Sequence, residues 1–183
     1  MDLQKFGIKI YLKESRTYSS RDYISIFHGW IQEKAIPDHL LIDVADYSHV
    51  ADGPGIMLIA HEGCFSLDQE NKKSGMMYMR KTNGIGSFEE RFEQVFSMAV
   101  HGVNLLKGGQ IDFYQNSFRF IANDRRLAKN TNENQELYKN EINGILKKKF
   151  PNESWDFIDM SDANERLGFT VNFKSDVNIL NEK

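Results

Sequence analysis

Two apolar periods run through this chain, and together they confine it to a β-sheet with helices laid against it. Phe6, Ile8, Ile10 and Leu12 fall at every second position among Lys5, Lys9, Tyr11 and Lys13. That is the period of a strand with one face on a core and the other in water. Leu40, Ile42 and Val44 repeat it, as do Phe169, Val171 and Phe173. Phe88, Phe92, Val95, Ala99, Val103 and Leu106 instead return at three- and four-residue steps, the stripe of an amphipathic helix over 87–107. Ser87 with Glu90 forms a capping box, Glu89 and Glu93 suit the positive end of the helix dipole, and Gly108-Gly109 end the helix.

The remaining segments follow the same reasoning. Ile24, Phe27, Ile31 and Ala35 predict a helix over 21–34, with Ser20 as its cap and Pro37 barring continuation. Strands at 40–45 and 56–61 pair antiparallel across a long loop that holds Asp52-Gly53-Pro54-Gly55, and 75–81 is a further strand. Segments 111–114 and 118–122 read as a hairpin about Gln115-Asn116. A third helix spans 133–149 and stops before Pro151, strands follow at 155–158 and 169–173, and the tail after Ser175 is expected to fray. Connections of hairpin length join only antiparallel strands. The expected fold is therefore α+β, with an antiparallel or mixed sheet covered on one face by about three helices, in a single globular domain over 1–183.

A chain of 183 residues needs no metal or disulfide to hold a core, and its single cysteine, Cys64, excludes a disulfide framework and multi-cysteine metal sites. Cys64 itself reads as a small buried hydrophobe. A net charge of -3 offers no general field for nucleic acid or an anionic membrane. No apolar run approaches the roughly 20 residues that span a bilayer, and the first residues lack an apolar signal core. These features point to a cytoplasmic protein. No nucleotide motif is complete: Gly84-Ile85-Gly86 lacks a third glycine and is followed by three glutamates.

Reactive side chains concentrate at Asp43, Asp46, His49 and Asp52, then at His61-Glu62. Carboxylates with imidazole are the donor set of divalent metal and acid–base sites. A hairpin of 40–45 with 56–61 divides the set. It leaves Asp46, His49 and Asp52 at the loop and gathers His39, His61 and Glu62 about 17 Å away, at five strand residues of ~3.4 Å each. Turn hydrogen bonding by Asp46 and Asp52 beside a solvated His49 is the simpler account of the loop trio. His61-Glu62 lacks the second histidine of a zinc-protease helix, since position 65 is Phe65. Arg125 and Arg126, in a polar loop, are candidates to clamp an anion. His28 and His101 are expected to be structural or exposed.

The segment Leu41-Ile42-Asp43-Val44-Ala45-Asp46-Tyr47-Ser48-His49-Val50-Ala51-Asp52-Gly53-Pro54-Gly55, with His61-Glu62 and Asn123-Asp124-Arg125-Arg126-Leu127-Ala128-Lys129-Asn130-Thr131, resembles a family of uncharacterised bacterial proteins, mainly cyanobacterial. The resemblance implies a compact, freestanding domain and brings no activity, cofactor or partner with it. Ordered core patterning without a complete catalytic motif favours a non-enzymatic domain that binds a small molecule or a protein partner. The alternative is a metal-assisted hydrolase working through the Asp, His and Glu of 39–62.

Overall fold

A computed structural model describes residues 2–13, 19–107, 111–159 and 165–181. Among the described residues eight strands form one open sheet: β1 (Phe6–Tyr11), β2 (Leu41–Tyr47), β3 (Gly55–Ala60), β4 (Gly63–Asp68), β5 (Gly75–Arg80), β6 (Ser117–Ala122), β7 (Trp155–Asp159) and β8 (Gly168–Phe173). They lie in the order β2-β3-β4-β5-β1-β6-β8-β7, and each neighbouring pair is antiparallel. Three α-helices among the described residues, α1 (Ser20–Glu33), α2 (Phe88–Lys107) and α3 (Asn132–Lys149), complete the α+β fold.

Register identifies the covered face. Ile8 lies opposite both Tyr78 and Phe120, and Tyr78 lies opposite Phe65, so all four side chains point the same way. All three helices meet this face through aromatic rings. Trp30 of α1 is 6.3 Å from Phe65, Phe88 of α2 is 5.5 Å from Phe6, and Tyr138 of α3 is 6.0 Å from Phe120. The capping box expected at Ser87 and Glu90 is present, its carboxylate accepting from the Ser87 N–H at 2.6 Å. α1 is capped one residue earlier than expected, by Ser19, whose side chain accepts from Asp22 while the Asp22 carboxylate answers. The Gly108-Gly109 stop lies outside the described residues.

Four expectations change. β1 is buried on both faces, because it sits between β5 and β6 in the middle of the sheet, and its Lys9 is 0 % exposed. β4 is a strand that alternation did not reveal, since Cys64, Ser66 and Asp68 on one side are as buried as Phe65 and Leu67 on the other. The hairpin of 111–114 with 118–122 does not form. β6 pairs with β1 and β8, and only Phe113 makes a lone bridge, to Leu12. The tail is held through residue 180: Ile179 donates to the Gln115 carbonyl at 2.8 Å, and Ile179 and Leu180 are buried.

One glycine is demanded by the path of the chain. Gly55 opens β3 at φ +61, and a Cβ there would stand 2.3 Å from the Leu67 carbonyl of β4. Only glycine takes both the left-handed backbone and the close approach.

Candidate functional site

The β2–β3 ribbon carries most of the residues singled out in the sequence, and it separates them. Asp46 lies opposite Ile56, while His61 follows β3 at the other end and donates its N–H to the Leu40 carbonyl at 2.9 Å. The four carboxylates of this region all brace backbone N–H groups. Asp43 accepts from Val44 at 2.8 Å, Asp46 from Ser48 at 2.8 Å, Asp52 from Lys72 at 3.2 Å and Glu62 from Leu40 at 2.9 Å. Asp46 also accepts from the Ser48 hydroxyl, and these bonds hold its carboxyl below the ordinary range. His49 is exposed, its ring 6.4 Å from Tyr47. Among the described residues no three His, Cys, Asp or Glu are placed to hold a metal ion.

At the far end His39, His61 and Glu62 do come near one another, in a structural arrangement. His61 Nδ1 is 3.3 Å from Glu62, and His39 bridges Pro37 and Tyr78. Because the Pro37 carbonyl can only accept, His39 Nδ1 carries a proton, and in the neutral ring Nε2 then accepts from the Tyr78 hydroxyl at 2.7 Å. Gly63 makes room for that hydroxyl, since a Cβ there would lie 2.7 Å from it. Partial burial raises the Glu62 carboxyl, but the N–H groups of Leu40 and of Glu62 itself, with His39 nearby, overcome it and leave it below the usual range.

Burial drives the Tyr78 phenol well above its ordinary 10.0, only partly opposed by Arg80. Above pH 10 the unfolded phenol ionises while the folded one keeps its proton. Tyr78 therefore contributes its full stability below pH 10 and loses it as pH rises, at about 1.4 kcal/mol per pH unit. In urea titrations from pH 9 to 11, Tyr78→Phe is expected to show an average stability slope shallower by about 0.7 kcal/mol per pH unit, about 1.4 kcal/mol over the whole range. Parallel slopes for the two proteins would show that the phenol ionises freely in the fold.

Arg125 and Arg126 are both exposed, in a turn built by Asp124, whose carboxylate accepts from the N–H groups of Arg126 and Leu127. His101 is not the exposed residue expected. It pairs with the Ala35 carbonyl at 2.9 Å and ties α2 to the end of α1.

The densest ionic cluster lies on the face opposite the helices. Lys9 of β1 is opposite Arg119 of β6, and Arg119 is opposite Thr170 of β8. Lys9 donates to Asp68, both being buried, and the Asp68 carboxylate also accepts from the Glu70 N–H at 3.2 Å. Burial pulls the Lys9 pKa below 10.5, and the attraction of Asp68 opposes this only in part. Glu70, in the short turn after β4, reaches Arg119 at 3.3 Å and Arg166 at 3.4 Å, one carboxylate oxygen to each. Among the described residues Arg119 Nε and Glu70 Oε2 are buried without a hydrogen bond of good geometry, as is Glu165 Oε2 beside Arg166 in sequence. The turn is folded under constraint: Asn71 and Lys72 adopt left-handed backbone at φ 60 and 55. Such a conformation costs a non-glycine residue about 1–2 kcal/mol, asparagine less. Asp52 supports it by accepting from the Lys72 N–H.

Beside this cluster opens a cleft of about 580 Å³, walled by Tyr11, Ser117, Thr170 and Asn172 from three strands and by Lys72 and Lys73 from the Glu70 turn. The Tyr11 and Thr170 hydroxyls meet at 3.1 Å, joining β1 to β8 across the intervening β6. Lys9 lies 5.6 Å from the centre of the Tyr11 ring. The cleft and the ionic cluster thus share a wall. Position in sequence gives little warning of either: Lys9 reads as a water-facing position of a half-buried strand, and Asp68 and Arg119 belong to no motif.

Compared with protein-family models and with curated proteins, the chain matches none.

Proposed function

We propose that this chain is a non-enzymatic binding domain that holds a small, polar, negatively charged molecule in the cleft beside Tyr11 and Thr170. The observation that carries the reading is convergence. Hydroxyls and amides from β1, β6 and β8 meet two lysines of a separate turn around one concavity. Its volume falls within the roughly 300–1,000 Å³ typical of small-molecule sites. Lysines at the rim favour an anion, and hydroxyls and amides favour a hydrogen-bonding body. The metal-assisted hydrolase is the weaker reading, because the carboxylates of 39–62 that it would use are engaged by backbone N–H groups.

The test is ligand-observed NMR with a panel of small hydroxy acids, dicarboxylates and sugar phosphates, run on the wild type and on Asn172→Trp. Asn172 is exposed on a strand, so the indole should fill the cleft while changing stability by less than about 1 kcal/mol. Binders of the wild type are expected to lose at least tenfold in affinity. A panel without binders, or binders indifferent to the indole, would remove the cleft from consideration.

A further inference from the structure

We infer that Arg119 and Arg166 form a receptor for the carboxylate of a small ligand, and that Glu70 is the internal carboxylate such a ligand displaces. The inference rests on the cleft as the binding site and names the group recognised there. Three observations support it.

The first is charge. The cluster joins three cations, Lys9, Arg119 and Arg166, to two carboxylates, and Asp68 is committed to Lys9. Among the described residues Glu70 is the one carboxylate left to two guanidiniums, Arg166 adding a 3.4 Å bond to the Asn123 side-chain oxygen.

The second is fit. Glu70 stands 3.3 and 3.4 Å from its arginines, whereas the surface pairs Lys148–Glu89 and Lys149–Glu93 close to 2.6 Å. Charge-assisted bonds normally run about 2.7–2.9 Å. The Arg119 side chain is 3 % exposed, yet among the described residues its Nε finds no hydrogen-bond partner, so the deeper guanidinium keeps a donor none of them uses. A carboxylate not tethered to the turn could approach both arginines more closely than Glu70 does.

The third is access. Glu70 and Arg166 keep about a quarter of their side-chain surface in solvent, at 23 % and 26 %. Thr170, the cross-strand neighbour of Arg119, and Lys72, two residues after Glu70, both wall the cleft. The arginines do not line the cleft, but they lie next to residues that do, so a ligand against Tyr11 and Thr170 reaches them when Glu70 gives way. Release of Glu70 leaves its turn attached through the Asp52 and Gln69 contacts of Lys72, and through the Gln69 N–H to the Gly53 carbonyl at 2.9 Å.

Glutarate is the probe, since each end reproduces a glutamate side chain. Its binding is followed by isothermal titration calorimetry in every variant, and also by the side-chain 15N–1H signal of Arg119 Nε where Arg119 is retained. A tethered competitor weakens apparent affinity through its high local concentration. Glu70→Gln removes the competing charge and is expected to bind glutarate at least tenfold more tightly than the wild type. Adding Arg119→Met and Arg166→Met to it is expected to abolish that gain. Equal affinity of Glu70→Gln and wild type would overturn the inference, as would a gain that survives loss of both arginines, which would assign it to Lys72 and Lys73. If Glu70→Gln does not fold, Arg166→Met alone decides: the wild-type dissociation constant for glutarate should rise at least fivefold, and no change refutes the receptor. Asn172→Trp separates the two readings. A Glu70→Gln gain that persists beside the indole keeps the arginine receptor and removes the cleft. Wild-type binding that is blocked by the indole, without any Glu70→Gln gain, keeps the cleft and removes the receptor.

Discussion

Lys9→Met is expected to destabilise the protein by about 3–5 kcal/mol, the usual consequence of removing one partner of a buried ion pair. Methionine matches the length of the lysine stem, so little packing is lost. The damage lies in what remains, because Asp68 is 3 % exposed and among the described residues would keep only the Glu70 N–H as a hydrogen-bond donor. Asp68→Leu should cost a similar amount, by stranding the ammonium of a lysine that has no exposure at all. The double variant is expected to recover much of the loss, since an apolar pair of similar volume avoids desolvating either charge. Urea denaturation of the two single variants and the double closes the cycle. A Lys9→Met protein within 1 kcal/mol of the wild type would mean that water reaches Asp68. The pair also bears on function. Asp68 orders the first residue of the turn that carries Glu70, so Lys9→Met should loosen that turn and raise amide exchange at 70–73.

Much of the architecture was readable because its signals are local. The stripe from Phe88 to Leu106 and the Ser87–Glu90 box define α2 within a few turns of chain. The alternation at 40–44 and the apolar run at 56–60 sufficed for the β2–β3 ribbon, and with it the separation of Asp46 from His61. Central strands were harder to read. Alternation assumes that one face of a strand meets water, and β1 and β4 violate it, Lys9 and Asp68 being buried across the sheet from the helices. The same assumption concealed the ionic cluster. Lys9 and Asp68 are 59 residues apart, and Glu70 meets Arg166 across 96. No spacing rule connects such positions before the strand order is known. Conversely, the conspicuous cluster from Asp43 to Asp52 attracted interest by composition, yet its carboxylates secure backbone turns. One of them, Asp52, supports the Glu70 turn from outside the cleft.

The helix-covered face predicts a second large effect, one that should stop at the sheet. Phe120 has no exposed surface and stacks with Tyr138 at 6.0 Å and Phe169 at 5.3 Å, with Phe6 at 5.5 Å. It joins β6 to β1, β8 and α3 at once. Phe120→Ala removes a ring from a packed site whose neighbours are anchored in three other elements and relax little, and should cost about 3–5 kcal/mol. Phe120→Leu, which refills most of the volume, should cost less than half of that. Arg119 is the adjacent residue on β6, and alternation sends its side chain to the opposite face. At a temperature where both proteins are folded, Phe120→Ala should therefore bind glutarate within twofold of the wild type. Affinity that falls in step with the lost stability would show that the cavity is transmitted through β6, and that the two faces of the sheet do not act independently.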